Sequence, residues 1–447
     1  MKLRGTFSRV CRVLAEQVLS ASIKSQGEGC ARIMHWGVVY MNGWVGHAIS
    51  DRRSDVRSLF IRILALPILL AMLAGCAVNE RLPAVPLAAE RHVDILGISD
   101  ARFYADDARK LEVYARKLIA RRDQNRSINR VEHYLAISGG ADDGAFGAGL
   151  LLGWSARGDR PKFDIVTGVS TGALTAPFAF LGKDYDNALK DIYTSITASD
   201  IFTMRPLIYA AIMSDGLADT TPLRNLISHY LDQRMMRRLA EEFGKGRILL
   251  IGTTNLDQSQ GVIWNIGAIA ASRHPKAREL IIDVLTASAS VPGVFPPVML
   301  DVTVNGVPHQ EMHVDGGTIA QTFLYPPTLS LSRLDAEAGV RRNRVAYVIR
   351  NGRLTPPETT VERSTLPIAA KTLATMIATA GVNDSYQIYL ATKRDNVAFN
   401  FAHIDDDFNV AYPGPFVPQY MQKLYDYGFQ KARNGYRWLK KPPYFAD

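Results

Sequence analysis

Phe163-Asp164-Ile165-Val166-Thr167-Gly168-Val169-Ser170-Thr171-Gly172-Ala173-Leu174-Thr175-Ala176-Pro177-Phe178 is the stretch that decides the fold. Phe163 to Val166 is a strand-like apolar run and Ala173 to Phe178 starts a helix, so Gly168-Val169-Ser170-Thr171-Gly172 lies on a strand-to-helix turn. That is the sequence form of a nucleophile elbow. A serine hydroxyl in a flexible loop is a poor nucleophile. A tight turn holds its oxygen exposed, and flanking glycines let the backbone pass without Cβ clashes. Ser170 is therefore the first catalytic candidate. Taken alone, the pentapeptide also fits a Gly-rich turn with a capping serine, so its neighbours must decide.

Upstream, Val131 to Ile137 reads as a buried strand that runs into Ser138-Gly139-Gly140-Ala141-Asp142-Asp143-Gly144-Ala145-Phe146-Gly147-Ala148-Gly149, followed by apolar Leu150 to Trp154. Strand, Gly-rich loop and helix make an anion-binding arrangement, because backbone N–H groups crowd around one oxygen at the positive end of a helix. This suits an oxyanion hole. A nucleotide phosphate site uses the same physics, but the loop has no Lys for a P-loop and no Gly-x-Gly-x-x-Gly spacing.

Downstream, Thr286-Ala287-Ser288-Ala289-Ser290-Val291-Pro292-Gly293-Val294-Phe295-Pro296-Pro297 precedes a hairpin-like stretch with its turn at Asn305-Gly306, which closes on His313-Val314-Asp315-Gly316-Gly317. An Asp-Gly-Gly is ordinarily a turn. Here its order after the elbow matters.

From Val131 to Pro327 these four motifs, in this order, resemble the patatin-like phospholipase family. The resemblance implies a three-layer α/β/α sandwich with a mainly parallel central sheet, and a lipid acyl hydrolase with a Ser-Asp dyad. Ser170 then looks like the nucleophile, Asp315 its general base, and Gly139, Gly140, Ala141 and Gly144 oxyanion-hole positions. The family's usual Gly-Gly-Gly-x-Arg/Lys-Gly loop is altered, with Asp142 and Asp143 where a cation is expected. Such acids remove positive potential beside a developing oxyanion and leave the backbone N–H groups to carry the stabilisation.

The implied chemistry is ester hydrolysis through an acyl-enzyme, with a lipid or acyl-ester substrate and neither metal nor cofactor. An alternative Ser-His-Asp esterase takes His403, after the strand-like Val397 to Ala402, as base. A further alternative is a lipoprotein that uses the fold as a binding or scaffold module. His313, two residues before Asp315, reads as a structural neighbour of the site. Asp405-Asp406-Asp407 reads as a solvated loop, and Asp215 to Arg224 as a loop feeding a helix.

Leu73-Ala74-Gly75-Cys76 ends a thirteen-residue apolar run, Ile63 to Gly75, preceded by Arg52, Arg53, Arg57 and Arg62. The run is too short for a span of about 20 residues and fits a signal h-region. The pattern looks like a bacterial lipoprotein signal, with Cys76 the lipidated residue. Ala77, rather than Asp, follows the cysteine and favours the outer membrane, with the periplasmic face of the inner membrane as alternative. Residues 1–50 read as a non-native or poorly ordered leader, with Met41 one candidate start.

Composition agrees with this division. The chain of 447 residues carries a net charge of +9, but residues 1–75 hold ten Lys/Arg and four Asp/Glu, and removing them leaves 42 basic against 39 acidic residues. With no basic run interleaved with aromatics, nucleic-acid binding is not expected. The organisation read from the sequence is a signal over 51–75, a membrane tether over 76–90, a helical segment over 91–130, a catalytic domain over 131–327 and a C-terminal α/β extension over 328–447 packed on the same domain. Within the extension, Arg344 to Arg350 reads as a strand, Leu366 to Ala391 as a helix broken near Gly381, and Pro418 to Leu439 as an amphipathic helix.

Overall fold

A computed structural model describes residues 81–125, 130–206, 214–355 and 360–443. The leader, the signal run and Cys76 lie outside the described residues. The main elements of the first half are β1 (Val93–Asp94), β2 (Arg102–Tyr104), α1 (Ala108–Asn125), β3 (Glu132–Ile137), α2 (Gly144–Arg157), β4 (Ile165–Val169), α3 (Thr171–Leu181), α4 (Asp186–Thr194), β5 (Thr203–Met204), β6 (Ala218–Asp219), α5 (Thr221–Tyr230) and α6 (Gln233–Gly244). The second half adds β7 (Ile248–Asn255), β8 (Gln260–Asn265), α7 (Ile266–Ala271), α8 (Ala277–Ser288), β9 (Val298–Val304), β10 (Val307–Asp315), β11 (Arg344–Ile349), α9 (Thr365–Arg394), β12 (Val397–Ala402) and α10 (Pro418–Arg433).

Five strands lie parallel in the order β12-β11-β3-β4-β7. On one edge of β7, Leu250 to Asn255 pair antiparallel with β8. The other edge is shared. β4 runs along it until Val169 pairs with Gly252, and there β10 arrives from the opposite direction, Asp315 pairing with Thr253. Two strands therefore meet end to end against one partner. The β9–β10 hairpin turns at Asn305 (φ 51°) and Gly306 (φ 81°), the left-handed pair that a two-residue turn requires.

Alternation along the strands builds the layers. Leu135 and Ile137 of β3 and Ile349 of β11 enter one core with α2, α3 and α8, whereas Tyr134, Ala136, Ala346 and Val348 face a second core with Ile388 of α9 and Phe399 and Phe401 of β12. Neighbouring residues of a strand point to opposite faces, so a sheet covered on both sides must be apolar at every position. The result is a mainly parallel central sheet between two helical layers, the three-layer arrangement expected from the sequence.

Several segments differ from their sequence reading. The 91–130 segment contributes strands as well as a helix: β1 adds to β9 and β2 to β8. The end of the expected tether is not free chain, because Arg81 pairs with Asp257 at 2.7 Å, Gln310 N–H donates to the Pro83 carbonyl at 3.1 Å, and Val85 is buried. The C-terminal region supplies β11 and β12 to the central sheet itself. No break occurs at Gly381, since α9 runs through it; its missing Cβ leaves room for the Arg350 guanidinium. The last helix stops at Arg433 rather than Leu439, and Leu439 instead bridges to Phe401.

The contact of α2 with α10 explains the glycines in the middle of α2. A Cβ on Gly149 would overlap the Tyr425 carbonyl, one on Gly153 the Phe429 carbonyl, and one on Gly428 the Phe146 carbonyl. The two backbones touch because these positions have no side chain. Gly149→Val must force the helices apart, and we expect a stability loss of about 1–3 kcal/mol from this overpacking. Urea unfolding checks it, as an unchanged midpoint is incompatible with the contact.

Candidate active site

Ser170 follows β4 with φ 56° and ψ −127° and precedes the first residue of α3. A non-glycine residue rarely adopts this backbone, which costs on the order of 1–3 kcal/mol and persists only where the surroundings enforce it. The enforcement is visible in the flanking glycines. A Cβ on Gly168 would overlap Gly172, and one on Gly172 would overlap the carbonyls of Ile137 and Ser138 after β3. The elbow is thus pressed between its own helix and the neighbouring strand.

Asp315 ends β10; its carboxylate accepts from Gly317 N–H at 2.7 Å, and the Ser170 hydroxyl lies close enough to favour its ionised form. Burial pushes the carboxyl up to about 7, against the stabilising effect of those two donors. Gly316 permits the approach, for a Cβ there would overlap the Gly252 carbonyl.

The end of α8 ties the two residues together. Ser170 N–H donates to Ser288 Oγ at 3.0 Å, Ser288 Oγ donates to the Gly252 carbonyl at 2.7 Å, and Asp315 N–H donates to the Ser290 carbonyl at 2.9 Å. Ser288 and Ser290 are fully buried. Their role was missed in the sequence, where Ala-Ser-Ala-Ser marked a motif without showing which groups it would hold.

The Gly-rich loop divides into committed and uncommitted donors. Gly139 N–H donates to the Gln321 carbonyl at 3.0 Å, and Gly144 N–H to the carbonyls of Ala141 and Asp142. These two expected oxyanion donors are therefore occupied; their glycines serve close approach to Gln321 and Ser170, and to Thr171 and Tyr193. Gly140 N–H and Ala141 N–H have no partner among the described residues. Gly140 (φ 154°) lies against the Asn351 backbone, and Ala141 adopts φ 49° despite its Cβ. Asn351 clamps the loop, with its side-chain amide donating to the Ser138 carbonyl at 2.9 Å and accepting from Gly147 N–H at 3.1 Å. Nothing in the sequence singled it out, since it follows β11 some two hundred residues away.

Asp142 and Asp143 are engaged by the C-terminal region. Asp142 accepts from Phe416 N–H at 3.1 Å and Asp143 from Tyr420 O–H at 3.0 Å. Burial, reinforced by Asp142, raises Asp143 to about 7, while Arg353 and Arg350 oppose the rise. The acid charge at the loop is thus partly protonated near neutrality and faces two cations from beyond β11.

The histidines lie in other networks. His313 Nδ1 is 2.9 Å from Thr253 Oγ1 and Nε2 is 3.1 Å from Glu311. Glu311 is ionised and must accept from Nε2–H, so the neutral ring presents Nδ1 as acceptor and the Thr253 hydroxyl donates to it while accepting from Trp264 Nε1–H. Burial lowers His313, which keeps it neutral, whereas Arg102 holds Glu311 down to about 2 despite its burial. His403 pairs with Asp405 at 3.3 Å, and its Nδ1 lies 3.1 Å from the Ile404 carbonyl. Asp405 and Asp407 bind Lys431, so that loop is ion-paired rather than merely solvated.

Residues 135–326 match the family model for patatin-like phospholipase. The chain carries a patatin-like phospholipase domain over those residues. No curated protein sequence matches the chain. Among solved structures, it is similar to VipD from Legionella pneumophila at 12% identity with a TM-score of 0.38, over 68% of this chain and 66% of that one, just under two thirds.

Ser288→Ala removes the partner of Ser170 N–H. An orphaned buried donor costs about 1–3 kcal/mol, and we expect that stability loss together with slower labelling of Ser170 by a fluorophosphonate. Unchanged labelling would remove Ser288 from the elbow's support.

Proposed function

We propose that the protein is a membrane-anchored serine lipid acyl hydrolase of the phospholipase A or lysophospholipase type, working through Ser170 and Asp315. The observation that carries this reading is a serine held in an elbow conformation at the junction where an adjoining strand ends in a buried carboxylate, Val169 pairing with Gly252 and Asp315 with Thr253.

Ionised Asp315 accepts the hydroxyl proton as Ser170 Oγ attacks the ester carbonyl. A carboxylate with the ordinary aspartate pKa of about 3.9 is a weak base. Burial makes this one stronger, at the cost of requiring a pH at which it is ionised. Gly140 and Ala141 N–H groups, unpaired and next to the elbow, are the donors for the tetrahedral oxyanion. The protonated Asp315 then returns its proton to the leaving alkoxide. Water releases the acyl group by the reverse sequence, with Asp315 again as base. This reaction sequence calls on no histidine, and among the described residues the His403 ring is engaged within its own loop, with Asp405 and the Ile404 carbonyl, and has no hydrogen bond to Ser170.

Membrane attachment through lipidated Cys76, at the outer membrane, completes the proposal. It is supported by the basic, apolar and small-residue pattern before Cys76. One thioether-linked lipid plus an N-acyl chain supplies the more than one anchor that stable attachment needs.

Ser170→Ala and Asp315→Asn are each expected to abolish hydrolysis of a phospholipid or short-chain ester with the fold retained, and Ser170→Ala to abolish fluorophosphonate labelling. Wild-type turnover in either variant would overturn the dyad. Because the base must be ionised, kcat/KM should fall as pH drops through about 7, the value to which burial raises Asp315. Asp143 titrates in the same range, so Asp143→Asn is the control, and an inflection that disappears with it assigns the profile elsewhere. For the anchor, mass spectrometry of protein from its native host should show a chain beginning at an acylated Cys76. An unmodified cysteine within an uncleaved chain defeats this part.

A further inference from the structure

α9 has two unlike halves. Its second half is built into the molecule, with Ile388 and Ala391 each 6% exposed. The first half is not. Ile368 is 50% and Met376 65% exposed, and Ile368, Leu373, Met376 and Ile377 belong to none of the clusters that form the core among the described residues. From Thr365 to Asn383 the only charged residue is Lys371. An exposed helix in water ordinarily carries charges on its open face. This one carries alanine, threonine and large aliphatic side chains.

Two of the four threonines in Thr365–Ala380 indicate what medium the helix suits. Thr372 Oγ1 donates to the Ile368 carbonyl and Thr375 Oγ1 to the Lys371 carbonyl, both at 2.8 Å. Hydroxyls satisfied within their own helix leave no donor demanding water, which is how polar residues are tolerated in lipid. A protein-binding surface would more typically offer aromatic or arginine anchors, and this half has neither. No described helix is long and apolar enough to cross a membrane. The sixteen residues Thr365–Ala380 extend about 24 Å at 1.5 Å per residue.

The helix also leads to the site. α9 touches the Gly316–Thr318 turn that follows Asp315. Asp384, just past Gly381, accepts from the N–H groups of Gln321 and Thr322 at 2.7 and 3.1 Å, and the Gln321 carbonyl holds the Gly-rich loop through Gly139. We propose that Thr365–Ala380 is a docking helix that lies in the headgroup–acyl boundary of a phospholipid bilayer and brings the Ser170 site to lipids in that surface. The activity part rests on the hydrolase reading above; the docking part does not.

The test uses the full chain with its three cysteines changed to serine and an environment-sensitive fluorophore placed at Met376→Cys, with Lys190→Cys on α4 as an exposed control. On addition of phosphatidylcholine vesicles, emission from position 376 should shift to the blue and be quenched by lipid-borne nitroxide, while position 190 does neither. No shift at 376 overturns the proposal. So does a blue shift that needs no vesicles and grows with protein concentration, which identifies a second copy as the occupant. In unlabelled protein, Ile368→Glu with Met376→Glu should lower hydrolysis of vesicle lipid about tenfold or more, as charges oppose interfacial insertion, and leave a soluble short-chain ester unaffected. Equal loss on both substrates overturns the delivery role. If neither substrate is turned over by the parent chain, the hydrolase reading fails, and the fluorophore still decides docking.

Discussion

The site depends on two strands meeting head to head along one edge of β7. β4 and β10 come from distant parts of the chain and run in opposite directions. Both end at the same point, with Gly252 pairing Val169 and the next residue, Thr253, pairing Asp315. A serine just past the end of one strand and an aspartate at the end of the other are then brought together by sheet register alone. A one-residue slip would exchange the side chains of the two cores, which are packed from different residues, so the packing fixes the register. The geometry of the pair is therefore secured by the whole core rather than by a local loop.

Packing at this junction leaves little tolerance, and that accounts for the composition of the motifs. Gly168, Gly172 and Gly316 each lie where a side chain would strike backbone, and Ser170 itself holds a strained conformation. Ser288 and the Ser290 carbonyl satisfy the backbone N–H groups that the strained turn and the strand end would otherwise leave buried and unpaired. The same burial that orders Asp315 makes it a stronger base. Order and reactivity share one cause, exclusion of water.

The altered Gly-rich loop has a structural use as well as a cost. Asp142 and Asp143 accept hydrogen bonds from Phe416 and Tyr420, which tie the C-terminal region to the loop. α10 packs on α2 through backbone contacts, and β11 and β12 lengthen the sheet beside β3. Residues beyond the Asp-Gly-Gly are thus part of the scaffold that holds the loop. Asn351 is the plainest instance, clamping both sides of the loop from the end of β11.

The sequence by itself determined the elbow at Ser170, the Gly-rich loop, the Asp-Gly-Gly, their order and the α/β class, because each is written in local rules: apolar periodicity, glycine where a turn is tight, and turn chemistry at Asn305-Gly306. It also showed the apolar run before Cys76. Only the tertiary structure decided which loop donors are uncommitted, for Gly139 and Gly144 look no different in sequence from Gly140, and their partners are set by Gln321 and by the local turn. It likewise decided that Gly381 makes room for Arg350 instead of breaking a helix, that the segment before α1 contributes strands to the sheet, and that His403 belongs to Asp405. These are questions of which distant group arrives at a given atom. Local propensity carries no information about that, and packing settles it.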